Sequence, residues 1–156
     1  MDSKKYKEVL SRAMALCSKS EKCRSEIRSR LPGWGLEDGR QAEMIIEELI
    51  NQDFINEERY SRLFASEKHR INKWGRVKIT AMLKSRGINE DLISGAVREI
   101  NQEQYEEQLR DELIKKRKTI KGSNLYDLKG KLLRFARSRG YELDLIYRLI
   151  NDITTP

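Results

Sequence analysis

Apolar residues recur every three or four positions in runs separated by polar corners, the spacing expected of helices with one buried face. Tyr6, Val9, Leu10, Ala13, Met14 and Cys17 mark a first helix over about 4–18. A second helix, with Ser20 as its expected N-cap, carries Cys23, Ile27 and Leu31 before Pro32-Gly33-Trp34-Gly35 breaks it. Proline cannot continue the hydrogen-bond ladder, and the glycines permit a sharp exit. Ala42, Ile45, Ile46, Leu49 and Ile50 define a third helix over about 39–52. Asn56, whose side-chain oxygen can accept from first-turn amides, opens a fourth, in which Leu63, Phe64 and Ala65 supply part of the apolar stripe. Beyond the Trp74-Gly75 corner a fifth places Ile79, Met82 and Leu83 on one face and ends at Gly87, a natural left-handed cap.

A short pattern then repeats. Ile27, Leu31, Gly35 and Leu36 match Ile79, Leu83, Gly87 and Ile88, and again Leu132, Ala136, Gly140 and Tyr141, with the glycines 52 and 53 residues apart. A buried helix that ends in a left-handed cap, followed at once by an apolar anchor, explains all four positions. Another apolar-periodic helix follows each later copy: Leu92, Ile93, Ala96, Val97 and Ile100, then Leu145, Ile146, Leu149, Ile150 and Ile153. The first helix of the last third, from Glu103 to about Lys118, is strongly charged, with Tyr105, Leu109, Leu113 and Ile114 as its apolar minority. Ser123 or Asn124 should cap the helix after it, and the loop at Gly122-Ser123 should be mobile. Self-similarity at this period signals stacked helical repeats. The expected fold class is therefore all-α: an elongated, curved array of three tandem three-helix repeats over 1–53, 54–100 and 101–156.

Charge sharpens the picture. Of the net +7, residues 1–52 carry +1 and the following stretches 53–100 and 101–156 carry +3 each. From Arg59 to Arg86 nine Lys/Arg face one acid, Glu67, and from Lys115 to Arg139 ten face Asp127 alone. Two such windows in neighbouring repeats could merge into one stripe suited to a polyanion, because phosphate neutralisation supplies most non-specific affinity for nucleic acid. The bland alternative is a solvated helix face. Trp34 and Trp74, beside glycines at helix corners, read as plugs between helices rather than stacking surfaces, and Tyr60 and Phe64 read as core.

Other chemistry finds little footing. Cys17 and Cys23 are six apart with no second pair, which gives neither a zinc site nor a disulfide framework and leaves two reduced thiols. His69 is the single histidine and has no recognisable nucleophile, no phosphate-binding glycine loop occurs, and the adjacent acids Glu47-Glu48 and Glu57-Glu58 diverge along their helices. No cofactor, metal or catalytic residue is expected. The polar start and the lack of an apolar run of about 20 residues argue against a signal peptide or a membrane span, so a cytoplasmic location is the default.

The run Asp53-Phe54-Ile55-Asn56-Glu57-Glu58-Arg59-Tyr60-Ser61, with Trp74-Gly75-Arg76-Val77-Lys78-Ile79 and Leu83-x-x-x-Gly87-Ile88, closely resembles the RecX family. The resemblance extends over nearly the whole chain. It implies a bacterial cytoplasmic protein of tandem three-helix repeats that binds RecA and lies along its filament on single-stranded DNA. It also implies restraint of RecA ATPase and strand exchange in homologous recombination, DNA repair and the SOS response, with direct DNA binding in some members. The candidate partner-binding residues are Arg62, Lys68, Arg70, Lys73, Arg76, Lys78, Lys84 and Arg86, with Lys115, Lys116, Lys118, Lys131, Arg134 and Arg137 in the last repeat. A chain with its own repeat core needs no second copy to fold, so a monomer is expected. The competing readings are a stand-alone DNA-binding protein of helix-turn-helix type and a helical nucleic-acid enzyme such as a glycosylase.

Overall fold

The three glycine-marked segments fold alike. In a computed structural model that describes residues 3–121 and 124–155, Gly35, Gly87 and Gly140 have φ of 90°, 76° and 88°. Each glycine amide donates to the carbonyl three residues back, at 2.9, 3.0 and 2.9 Å. Each following amide (Leu36, Ile88, Tyr141) donates to the carbonyl five back, at 3.0, 3.2 and 3.3 Å. That pair of bonds is the left-handed helix stop in which a residue without Cβ turns the chain out of the helix. The apolar positions of all three copies are buried, none more than 4% exposed.

The helices are α1 (Ser3–Lys19), α2 (Arg24–Arg30), α3 (Gly39–Asn51), α4 (Glu57–Arg70), α5 (Arg76–Ser85), α6 (Glu90–Arg98), α7 (Gln102–Thr119), α8 (Leu125–Ser138) and α9 (Leu143–Thr154), with a 3-10 turn at Pro32–Trp34. No strand occurs among the described residues. The chain is thus an all-α repeat protein. Contacts divide it into two compact units, Met1–Leu63 with Leu83–Ile93, and Phe64–Met82 with Ser94–Pro156. The division passes through α4, α5 and α6.

The first unit closes around Val9, Ala13 and Cys17 of α1, Ile27 and Leu31 of α2, and Ile45, Ile46 and Leu49 of α3, with Leu36 and Ile55. Ser20 does not cap α2, contrary to expectation. Residues 20–23 are non-helical and Cys23 takes the N-cap, its amide donating to Glu26 Oε1 at 3.2 Å. The carboxylate at the third helical position thus satisfies the N-cap residue's own amide, one half of a capping box. Asp38 caps α3 through the amides of Arg40 and Gln41, and Asn56 caps α4 through that of Arg59 at 3.0 Å. Arg24 and Arg59 reach Glu57 and Glu21 at 3.1 and 2.6 Å. Both cysteines are free and buried, and burial pushes both thiols up, so they pack as small apolar groups. Ile50 and Leu63, counted in apolar stripes by spacing, are each 43% exposed at the edges of those stripes.

The second unit is built on Tyr105, Leu109 and Leu113 of α7, Leu132 and Ala136 of α8, and Leu145, Ile146, Leu149 and Ile150 of α9, with Tyr141. Asn101 and Asn124 cap α7 and α8, each accepting one amide at 2.9 Å. Ser123, the other expected cap, and Gly122, expected to be mobile, lie outside the described residues. At the Trp74-Gly75 corner the start of α5 lies directly on the end of α8. The Gly75 amide donates to Arg139 O at 2.7 Å and that of Val77 to Gly140 O at 2.9 Å. A Cβ on Gly75 would fall 2.5 Å from the Gly140 carbonyl carbon, and one on Gly140 would fall 2.6 Å from the Lys78 nitrogen. Main chain touches main chain there, and a side chain at either position would have to displace backbone.

Candidate cationic binding surface

This crossing places the charged residues that flank it. Trp74 is half-buried, edge-on to Phe64 with ring centroids 6.4 Å apart. Lys68 Nζ stands 5.1 Å from the Trp74 ring centre and Lys78 Nζ 4.5 Å, with Lys68 also 5.5 Å from Phe64. Both ammonium groups are within the range of attraction to the ring quadrupole. Lys78 also donates to Ser138 O at 3.3 Å, and Arg139 to Asn72 O at 3.4 Å. Phe135 on α8 lies 5.3 Å from Lys116 Nζ and 5.0 Å from the Arg139 guanidinium. Beside it Lys116, Lys121, Lys131 and Arg134 line an open groove of about 620 Å³. Within the second unit, therefore, basic residues 68–78 and 116–139 meet at the Gly75–Gly140 crossing.

The remaining candidates divide by what already occupies them. Arg70, Lys115, Lys118, Lys131, Arg134 and Arg137 are exposed and have no acidic partner among the described residues. Lys73 is half-exposed at φ 60°, its carbonyl accepting from the Tyr141 hydroxyl at 3.1 Å. Arg62 pairs with Glu58 at 3.3 Å and Lys84 with Glu90 at 3.6 Å. Such exposed pairs are worth ~0–1 kcal/mol and yield readily to a stronger partner.

Arg76 is different. Its guanidinium donates to Val97 O at 3.0 Å, Ile100 O at 2.9 Å and Gln102 Oε1 at 2.8 Å, and lies 4.1 Å over the Tyr105 ring. Only 18% of the side chain is exposed. Arg76 therefore fastens the end of α6 to the start of α7, a role that charge counting assigned to a partner. In the first unit Arg86 donates to the Tyr60 hydroxyl while its carbonyl accepts from Ser25 Oγ at 2.9 Å. Burial pushes the Tyr60 hydroxyl well above its ordinary value, so it stays a neutral acceptor for the guanidinium.

A polar network under the second unit's surface had no sequence signal. The buried Tyr105 hydroxyl accepts from the Arg76 amide at 2.8 Å and donates to Glu142. Gln108 Nε2 donates to His69 O at 2.9 Å and Tyr141 Oη at 3.1 Å, and lies 3.1 Å from His69 Nδ1. Burial lowers the His69 pKa, which favours the neutral ring beside the Gln108 amide. The ring is a half-buried packing element, 5.5 Å from Tyr105. The aromatic backing of the lysines was also missed, since Trp74 plugs its corner with one part of the ring and meets cations with another. Lys78 lies four residues after Trp74 and Lys68 four after Phe64, a spacing that could have revealed it.

Among the described residues no group of three His, Cys, Asp or Glu side chains could hold a metal ion, and no helix is long and apolar enough to cross a membrane. The fold and this surface define a tandem three-helix repeat protein with an aromatic-backed cationic face. Residues 56–97 match the second three-helix domain of RecX and residues 102–150 the third. The regulatory protein RecX of Clostridium acetobutylicum is 32% identical over 152 residues, 95% of this chain and 70% of that protein. The protein of the same name from Clostridium perfringens strain 13 is 30% identical over 145 residues, 91% of this chain and 66% of its own length. The chain belongs to the RecX family. Crystal structures of RecX from Lactobacillus salivarius and of a second regulatory protein RecX superpose with TM-scores of 0.84 and 0.85, at 17% and 19% identity. These cover 97% and 95% of this chain, and 98% and 72% of theirs, and they establish the fold.

Proposed function

We propose that this protein is a non-enzymatic regulator that binds the RecA filament on single-stranded DNA and restrains its ATPase and strand exchange. In this reading the chain is a cytoplasmic monomer of three repeats, 1–53, 54–100 and 101–156, and the DNA of the filament contributes to binding directly. The observation that supports it most is the meeting, within one compact unit, of Lys68 and Lys78 on Trp74 with the end of α8, where Lys78 reaches Ser138 O. Phosphates or an acidic protein surface would complement that face, and several modest contacts along a filament add through multivalency.

The test is RecA ATPase and strand exchange on single-stranded DNA with the protein titrated in. Both activities should fall with dose. A variant carrying Lys68→Glu, Arg70→Glu and Arg137→Glu should need much more protein for the same effect, with its far-ultraviolet circular dichroism unchanged. Undiminished ATPase and strand exchange at excess wild-type protein would refute the reading.

A further inference from the structure

A second groove, between α8 and α9, carries chemistry that the basic windows do not account for. Its lining includes Tyr126, 86% exposed, and Tyr147, 54% exposed. Among the described residues they are the two aromatic rings in a set of large exposed apolar side chains that is otherwise aliphatic, and both border one cavity. The cavity holds about 440 Å³, with Leu133 and Ile150 in its apolar lining. Lys129, Lys131 and Arg134 stand around it against one acid, Asp127. Lys129 is tethered to Asn151 Oδ1 at 3.3 Å, whereas Lys131 and Arg134 are exposed.

Gly130 is the telling residue. It lines the groove from the interior of α8, where glycine weakens a helix relative to alanine. Internal packing does not require it, since a Cβ there would meet only the flexible end of Arg134, at an ordinary 3.5 Å. A methyl group at this point would instead occupy the groove.

We propose that the α8–α9 groove is a base-stacking subsite for single-stranded nucleic acid. Tyr126 and Tyr147 offer π-faces to one or two bases, and Lys131 and Arg134 meet the adjoining phosphates. Stacking on aromatic side chains beside a cationic track is how single strands are held without sequence preference. A volume of about 440 Å³ lies in the range of pockets that take a small molecule or a base. A duplex would keep its base faces hidden, so the strand must be single. The proposal deepens the functional reading above and rests on its nucleic-acid component, but it requires no recombinase.

The experiment is fluorescence anisotropy of a labelled thymidylate oligomer of about fifteen nucleotides, within the range of single-strand site sizes, with the full chain at several salt concentrations. Tyr126→Ala and Tyr147→Ala should each weaken binding roughly tenfold and leave the salt slope unchanged, whereas Tyr126→Phe, which keeps the ring, should bind as the parent does. Lys131→Ala and Arg134→Ala should each flatten the slope of log affinity against log salt by about 0.7. Gly130→Ala should raise the thermal midpoint while lowering affinity, opposite signs that a purely structural glycine would not give. Parent-like binding by both tyrosine variants, or no binding of the oligomer by the parent, overturns the subsite. If the tyrosine variants lose RecA restraint yet bind the oligomer normally, the groove takes an acidic protein segment and the proposal is likewise overturned. Weakened oligomer binding with RecA unaffected by the parent would sustain the subsite and sink the recombinase reading instead.

Discussion

Gly140→Ala tests the backbone crossing that organises the second unit. Two costs fall on this residue. An L side chain at φ 88° costs about 1–2 kcal/mol, of which ~0.4–1 kcal/mol is recovered because alanine restricts the unfolded chain. The new methyl would also lie 2.6 Å from the Lys78 nitrogen and 2.9 Å from its Cα, closer still to its Cβ, with no flexible side-chain end to give way. Overpacking of this kind adds about 1–3 kcal/mol, and displacing α5 strains the bonds from Gly75 and Val77 to the end of α8. The expected loss is about 2–4 kcal/mol. Gly87→Ala is the control, for it shares the left-handed conformation at φ 76° with nothing within 4 Å of the added carbon. It should cost only about 1 kcal/mol. Urea unfolding followed by circular dichroism measures both. Trp74 fluorescence in a Trp34→Phe background reads the second unit, since Trp34 packs on the first core. Equal losses for Gly140→Ala and Gly87→Ala would refute the close approach of the two main chains.

Two further outcomes follow from the same region. Arg76→Ala should destabilise by about 2–4 kcal/mol, because it removes a charged donor from the Ile100 carbonyl and leaves the Val97 carbonyl only the Ile100 amide. Arg76→Lys should recover little, since one ammonium cannot span three acceptors, and a urea midpoint near wild type for either variant would contradict this. His69 supplies a pH test. Burial lowers its folded pKa below the ordinary 6.5, so between those two values the unfolded chain binds more protons and stability rises with pH. Its contribution is intact above about 6.5 and is lost as pH falls through the folded value. The urea midpoint should therefore decline between about pH 7 and pH 5, and His69→Gln should flatten that decline. An unchanged pH dependence in the variant would remove His69 as its source.

The sequence disclosed most where a backbone requirement leaves a residue-type mark. The caps at Gly35, Gly87 and Gly140 were legible because a helix stop followed by a buried anchor fixes four positions at once. The start of α2 was misread because serine is the commoner N-cap, while Glu26 makes Cys23 a workable one through the reverse hydrogen bond. Charge counting found the cationic stretches but could not sort them. Arg76 and Lys78 look alike in a basic run, and only the carbonyls that converge on Arg76 mark it as a structural fastener. Nor could spacing place Tyr126 and Tyr147 at one groove, since that requires α8 and α9 to be packed together.

The meeting of Gly75 with Gly140 also bears on how freely this surface can change. Contacts between side chains hold a site in register only while both partners keep their identities, so drift in one demands compensation in the other. Here the register of Lys68, Trp74 and Lys78 against the end of α8 is set by amide-to-carbonyl bonds that any residue but proline can make. The structural demand falls mainly on two small positions, to which Lys78 and Arg139 each add one side-chain bond to a carbonyl across the crossing. Exposed cations such as Arg70 and Arg137 can thus be exchanged to suit a different partner without renegotiating the fold. Replacing either glycine would move the whole array at once.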